Sequence, residues 1–97
     1  MMEEAEYMAL VDALEAASGK VSRLGAGIIA AAALDIAKDS RSFSRILGVA
    51  HALVLREVIV LETNGGYITV RQRDARTQRT YYQLNAAGER LVEEVIL

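Results

Sequence analysis

The sequence has no cysteine, no proline and no tryptophan, and it has one histidine. Without cysteine there are no disulfides, thiolate metal sites or thiol nucleophiles. His51 has no second histidine and no patterned carboxylates to join it in a metal set or an acid–base pair. Gly25-Ala26-Gly27 lacks the following Lys and Ser/Thr of a phosphate loop. Neither metal nor cofactor is therefore expected, and the chain does not read as an enzyme. Long apolar runs are missing too. The longest uncharged stretch, Leu24 to Leu34, falls well short of the roughly 20 residues a bilayer-spanning helix needs. The opening Met1 to Glu6 is acidic, unlike an export signal, so a cytoplasmic setting is expected.

What is present suits one compact domain over residues 1–97. Apolar residues make up 53% of the chain, enough to close a core without staples. The net charge of −2 conceals a polarised distribution. Glu3, Glu4, Glu6, Asp12 and Glu15 have no basic neighbour before Gly19, whereas Arg71, Arg73, Arg76 and Arg79 surround the lone Asp74. The local field, not the mean, decides where an anion is drawn.

Periodicity predicts five helices and a hairpin. Glu3 to Ala17 places Tyr7, Leu10, Val11 and Leu14 at helical spacing, with acids at its start and Ser18-Gly19 as its stop. A second helix, from about Ser22 to Lys38, is apolar on every face through its Gly25–Leu34 portion and should lie at the centre of the core. Asp39-Ser40 can cap a short helix, Arg41 to Leu47, with Phe43 and Leu47 facing inward. After Gly48 a fourth helix runs from about Ala50 to Glu62, with Val54, Val58 and Leu61 as its inward stripe. Asn64-Gly65-Gly66 ends it. The period then becomes two: Tyr67 to Arg73 alternates, with Ile68 and Val70 on one face and Thr69, Arg71 and Arg73 on the other. A polar tip, Asp74 to Gln78, leads to the strand formers Arg79 to Leu84. Asn85 can cap a last helix from Ala86 to about Ile96. No repeat, linker or low-complexity tract interrupts the order.

The succession of short helix, glycine turn, helix, glycine stop, arginine-rich hairpin and closing helix from Asp39 to Leu97 resembles the winged helix-turn-helix family. The likeness is to its small prokaryotic MarR- and PadR-type regulators. Leu61-Glu62-Thr63-Asn64-Gly65-Gly66-Tyr67-Ile68 is similar to that family's exit from the recognition helix. Arg79-Thr80-Tyr81-Tyr82-Gln83-Leu84-Asn85-Ala86-Ala87-Gly88 is similar to its return strand and helix start, and Arg73 to Arg79 to its charged wing. The resemblance implies a mainly α fold with a β-hairpin wing over 67–84 and additional N- and C-terminal helices. It further implies that residues 39–62 form a helix-turn-helix whose second helix enters the major groove of double-stranded DNA.

Nine residues are candidates for contact with DNA. Arg71, Arg73 and Arg79 on one hairpin face and Arg76 at the tip can hold phosphates bidentately; the plainer alternative is that they solubilise an exposed hairpin. Arg41 and Arg45 are further phosphate candidates. Ser40, Ser42 and Ser44 flank them as phosphate contacts, or Ser40 serves only as a cap; Ser44 is the serine kept among the nine. His51 and Arg56 are the obvious base-reading groups, because the other outward positions, Ala52, Leu53, Leu55 and Val60, are apolar. That face either touches DNA with modest sequence preference or meets protein. Two other classes stay open: a winged-helix protein-interaction module, and an architectural DNA-binding protein with little specificity. Tyr7, Leu10, Val11 and Leu14, with Leu91, Val92, Val95, Ile96 and Leu97, exceed what a minimal winged helix buries. In the MarR-like regulators such terminal helices form a homodimer, while packing within one monomer is the alternative. An effector pocket between them is implied by analogy alone.

Overall fold

A computed structural model describes residues 4–96; residues 1–3 and Leu97 lie outside the described part, as does the side chain of Asn64. The order is α1 (Glu4–Ala17), α2 (Arg23–Ala33), α3 (Ser40–Leu47), α4 (His51–Val60), a π-helical turn (Leu61–Gly65), β1 (Ile68–Arg73), β2 (Thr80–Leu84) and α5 (Ala86–Ile96). A mainly helical protein with one antiparallel hairpin is what the periodicity predicted. The predicted start of the first helix at Glu3 falls outside the described residues. None of the described helices is long and apolar enough to cross a membrane.

The apolar helix α2 sits at the centre, touching α1, α4, α5 and β2. Its Ile28 and Ile29 are fully buried, as are Leu14 from α1, Val54 and Val58 from α4, and Leu61 just beyond. Burial of each such side chain contributes about 1.5–3 kcal/mol before the entropy of ordering is set against it. Ser22 caps α2 by accepting from the Gly25 amide at 3.0 Å and donates to Glu57 Oε2 of α4 at 3.0 Å. The Tyr7 hydroxyl donates to the Gly27 carbonyl at 3.0 Å, closing α1 onto α2.

The second helix ends at Ala33, not at Lys38 as expected. Asp35 takes a left-handed φ of 62°, and the amides of Ile36 and Ala37 both turn back to the Ala31 carbonyl, at 2.8 and 3.2 Å. The apolar residues that prolong the helical pattern are used instead by a turn: Ala37 is buried and Leu34 and Ile36 pack against the core. That turn lays Lys38 and Asp39 beside β2, where the Tyr82 amide donates to the Lys38 carbonyl at 3.1 Å and Asp39 bridges Tyr81.

Asp39 is the N-cap of α3, its carboxylate accepting from the Ser42 amide at 2.9 Å; Ser40 already belongs to the helix. Gly48, with a left-handed φ of 69°, ends α3 and turns the chain into α4. The π-helical turn carries α4 past Val60 to Gly66, whose φ of 68° makes the expected stop. Asn85 caps α5 through its Oδ1, which accepts from the Gly88 amide at 2.8 Å. Its side-chain amide donates to the Gly66 carbonyl, so the end of α4 and the start of α5 are held together.

The terminal helices pack on each other within the chain. Tyr7, Leu10, Val11, Leu14, Leu91 and Val92 are buried in the core, Val95 is half-buried, and Ile96 remains 64% exposed. An apolar hollow of about 290 Å³ opens beside Ile96, lined by α1, Leu34 and α5.

Candidate nucleic-acid interface

The hairpin departs from simple alternation at Arg71. Ile68 pairs with Leu84, Thr69 with Gln83 and Val70 with Tyr82, and then Gln72 pairs with Tyr81 and Arg73 with Thr80. Arg71 is the extra residue of a β-bulge, which shifts the side-chain phase of Gln72 and Arg73. Arg73 therefore does not share a face with Thr69 as expected. It lies opposite the buried Thr80 and donates from Nε to Thr80 Oγ1 at 3.4 Å. Arg71 and Gln72 line a polar hollow of about 400 Å³ with Lys38, Tyr81 and Gln83 on the other side of the ribbon. Lys38 there is paired with Asp35 at 2.7 Å.

The tip is ordered by Asp74. Its Oδ1 accepts the amides of Arg76 at 2.9 Å and Thr77 at 3.3 Å, and its backbone bonds both Gln78 and Arg79. Side chains of Asp and Asn commonly organise turns in this way. Arg76 projects from the tip into solvent.

Arg79 differs from its neighbours. Its Nε lies 2.9 Å from Asp39 Oδ2, and its guanidinium carbon stands 5.9 Å from the centroid of the Tyr81 ring. The Nε–H does not point along a hydrogen-bond direction, so the contact with Asp39 is an ion contact without that geometry. Tyr81 first and Asp39 second hold the Arg79 guanidinium above its ordinary pKa. Burial alone would raise the Asp39 carboxyl, but the Ser42 amide and hydroxyl, Arg79 and the Arg41 amide outweigh it and hold it below the usual carboxylate value. Arg79 is thus ion-paired rather than free, and the bulge takes Arg73 off the face expected for it.

In α3, Arg41 donates from Nη2 to the Thr77 carbonyl at 2.9 Å, tying the first turn of the helix to the hairpin tip. Ser44 donates to the Val49 carbonyl and so stabilises the turn between α3 and α4, which leaves its proton engaged within the protein. Arg45 is exposed on the same helix. His51, the first residue of α4, lies with Nε2 2.8 Å from Ser40 Oγ, and Ser40 Oγ accepts from the Thr80 amide at 2.9 Å. His51 is thus bonded to the interior at Nε2. Farther along α4, Ala52, Leu53, Arg56 and Ile59 form the exposed stripe. Leu53 is 44% and Ile59 53% exposed, while Leu55 and Val60, expected to face outward, are half-buried.

Of the nine candidates, Arg45, Arg56, Arg71, Arg73 and Arg76 are exposed without an ion pair to any described residue. Arg41, Ser44, His51 and Arg79 are engaged in joining α3, α4 and the hairpin. Sequence reasoning missed Thr80 and underrated Ser40, which together with His51 make the junction. Only their buried, polar character marks them, and burial is not visible in a local pattern. No family model, curated protein or solved structure matches the chain.

Proposed function

We propose that the chain is a winged helix-turn-helix protein that binds double-stranded DNA as a transcriptional regulator. In this reading α3 is the positioning helix, α4 the recognition helix and the β1–β2 hairpin the wing. The observation that carries it is the set of unpaired arginines at the short helix, the following helix and the hairpin, with Arg41 fastening the tip to α3. The short bridge between Asp39 and Tyr81, beside the hairpin, adds the third edge such a wing would use. Arg56 is the base-reading candidate, and Arg45, Arg71, Arg73 and Arg76 are the phosphate-binding ones. Assembly is proposed as a two-fold dimer through the α1–α5 end, supported by the exposed Ile96 and the adjoining apolar hollow. Sedimentation of the free protein tests that assembly.

One observation favours a second reading. Leu53 and Ile59 expose apolar surface on the helix that would read bases, as a protein-docking face would. Competition of a labelled duplex against random-sequence and homopolymer duplexes separates the possibilities. A regulator discriminates among sequences, an architectural protein binds all duplexes alike, and a protein-interaction module binds none.

A further inference from the structure

We propose that Ser40 and His51 are positioning residues that lock the hairpin onto the helix-turn-helix, with His51 acting as a neutral hydrogen-bond acceptor whose protonation releases the lock. The consequence for DNA rests on the function proposed above; the lock itself does not.

Ser40 is fully buried and its hydroxyl has one proton to give. The Thr80 amide, also buried, donates to Ser40 Oγ at 2.9 Å. The remaining neighbour of that oxygen is His51 Nε2, at 2.8 Å. Among the described residues the Ser40 proton has no other acceptor, so it points to Nε2 and the imidazole carries its own proton on Nδ1. A single relay, Thr80 N–H to Ser40 O–H to His51 Nε2, thereby joins the start of β2, the first turn of α3 and the first turn of α4.

An imidazolium cannot accept the Ser40 proton. Both its nitrogens are donors, so Nε2 would aim a second N–H at Ser40 Oγ and leave the serine proton without a partner in a buried place. The charges facing the ring are Arg41 from α3 and Arg79 from the hairpin, offset by Asp39 alone. Burial first, and Arg41 next, accordingly hold His51 below its ordinary value of 6.5. With the folded value below the unfolded one, the released state binds more protons. The lock is complete above the ordinary histidine value and is lost as pH falls from there through the lowered one.

The test uses the full chain at about pH 7.5 and about pH 5.5, bracketing the ordinary histidine range. His51→Gln keeps an acceptor at the position but does not titrate; Ser40→Ala removes the bridge. Three quantities are read: ring ¹⁵N shifts, the exchange protection factor of the Thr80 amide, and affinity for a duplex at constant ionic strength. We expect the Nδ1–H tautomer and a protected Thr80 amide at the higher pH. Protection falls severalfold at the lower pH in the wild type but not in His51→Gln, and Ser40→Ala is unprotected at both. Duplex affinity follows the same pattern. A proton on Nε2 at the higher pH, or a His51→Gln variant as pH-sensitive as the wild type, overturns the lock. A working lock with no duplex binding at either pH overturns the proposed function and leaves the lock standing. Duplex binding whose pH dependence is the same in the wild type and His51→Gln overturns the positioning role. Should Ser40→Ala fail to fold, His51→Gln carries the test alone.

Discussion

Asp39 Oδ2 stands 2.9 Å from Arg79 Nε, bringing the cap of α3 against the first edge of β2. The same carboxylate holds the Ser42 amide, and the same guanidinium lies near the Tyr81 ring. One acid therefore starts a helix and anchors a hairpin, and Arg79 has its charge paired within the fold. Replacing Asp39 with Ala should cost about 1–2 kcal/mol from the cap alone, read by urea unfolding. Because the native carboxyl is held below its ordinary value of 3.8, the unfolded chain binds more protons in the intervening range. Wild-type stability is thus fullest above that ordinary value and falls as pH drops through the lowered one. Asp39→Ala should lack this acid-dependent component.

Arg76 and Arg79 should separate cleanly. Arg76→Gln removes an exposed charge at the tip and should lower the slope of log affinity against log salt by about 0.9 if it meets a phosphate. Arg79→Gln should leave that slope unchanged and lower the unfolding midpoint instead. Salt titrations of duplex binding beside melting curves of both variants check this.

Gly88 lies against the backbone of Tyr67. A Cβ there would collide with the Tyr67 carbonyl oxygen, which itself accepts from the Asn85 amide at 3.1 Å. Gly88→Ala must push α5 away from the end of the π-helical turn, and overpacking of this kind costs about 1–3 kcal/mol. Chemical unfolding measures the loss, and an unchanged midpoint would mean that α5 shifts freely.

Tyr82 buries a hydroxyl that has no hydrogen-bond partner among the described residues, and burial, with Asp39 and Tyr7 nearby, raises its pKa. An unpaired buried polar group costs about 1–3 kcal/mol relative to a satisfied one. Tyr82→Phe should therefore be neutral or stabilising, whereas a loss above about 1 kcal/mol would reveal a partner for the hydroxyl.

Local signals were the legible ones. Val54, Val58 and Leu61 lie at helical spacing and are buried as a stripe, Gly48 and Gly66 end helices, and Asn85 caps one, because each acts within a few residues of itself. The end of α2 was hidden: neither glycine nor proline stands at Asp35, and Leu34, Ile36 and Ala37 prolong an apolar pattern while folding into a turn. The bulge at Arg71 was hidden as well, since alternation assumes an unbroken period, and it sends Arg73 to the side of Thr80. Pairings such as Asp39 with Arg79 and Arg41 with Thr77 join distant parts of the chain, and composition carries no trace of them. Four arginines near the hairpin were countable; which of them stayed free was decided by the fold.

The most direct measurement is fluorescence anisotropy of a labelled duplex over a salt series, comparing the wild type with Arg45→Gln/Arg56→Gln/Arg76→Gln. All three side chains are exposed, so circular dichroism and melting should be unchanged. The wild type should bind with log affinity falling linearly against log salt, and the triple variant should lose about 0.9 of slope for each phosphate contact removed. A folded wild type without duplex affinity, or a variant with equal affinity and slope, would contradict the account.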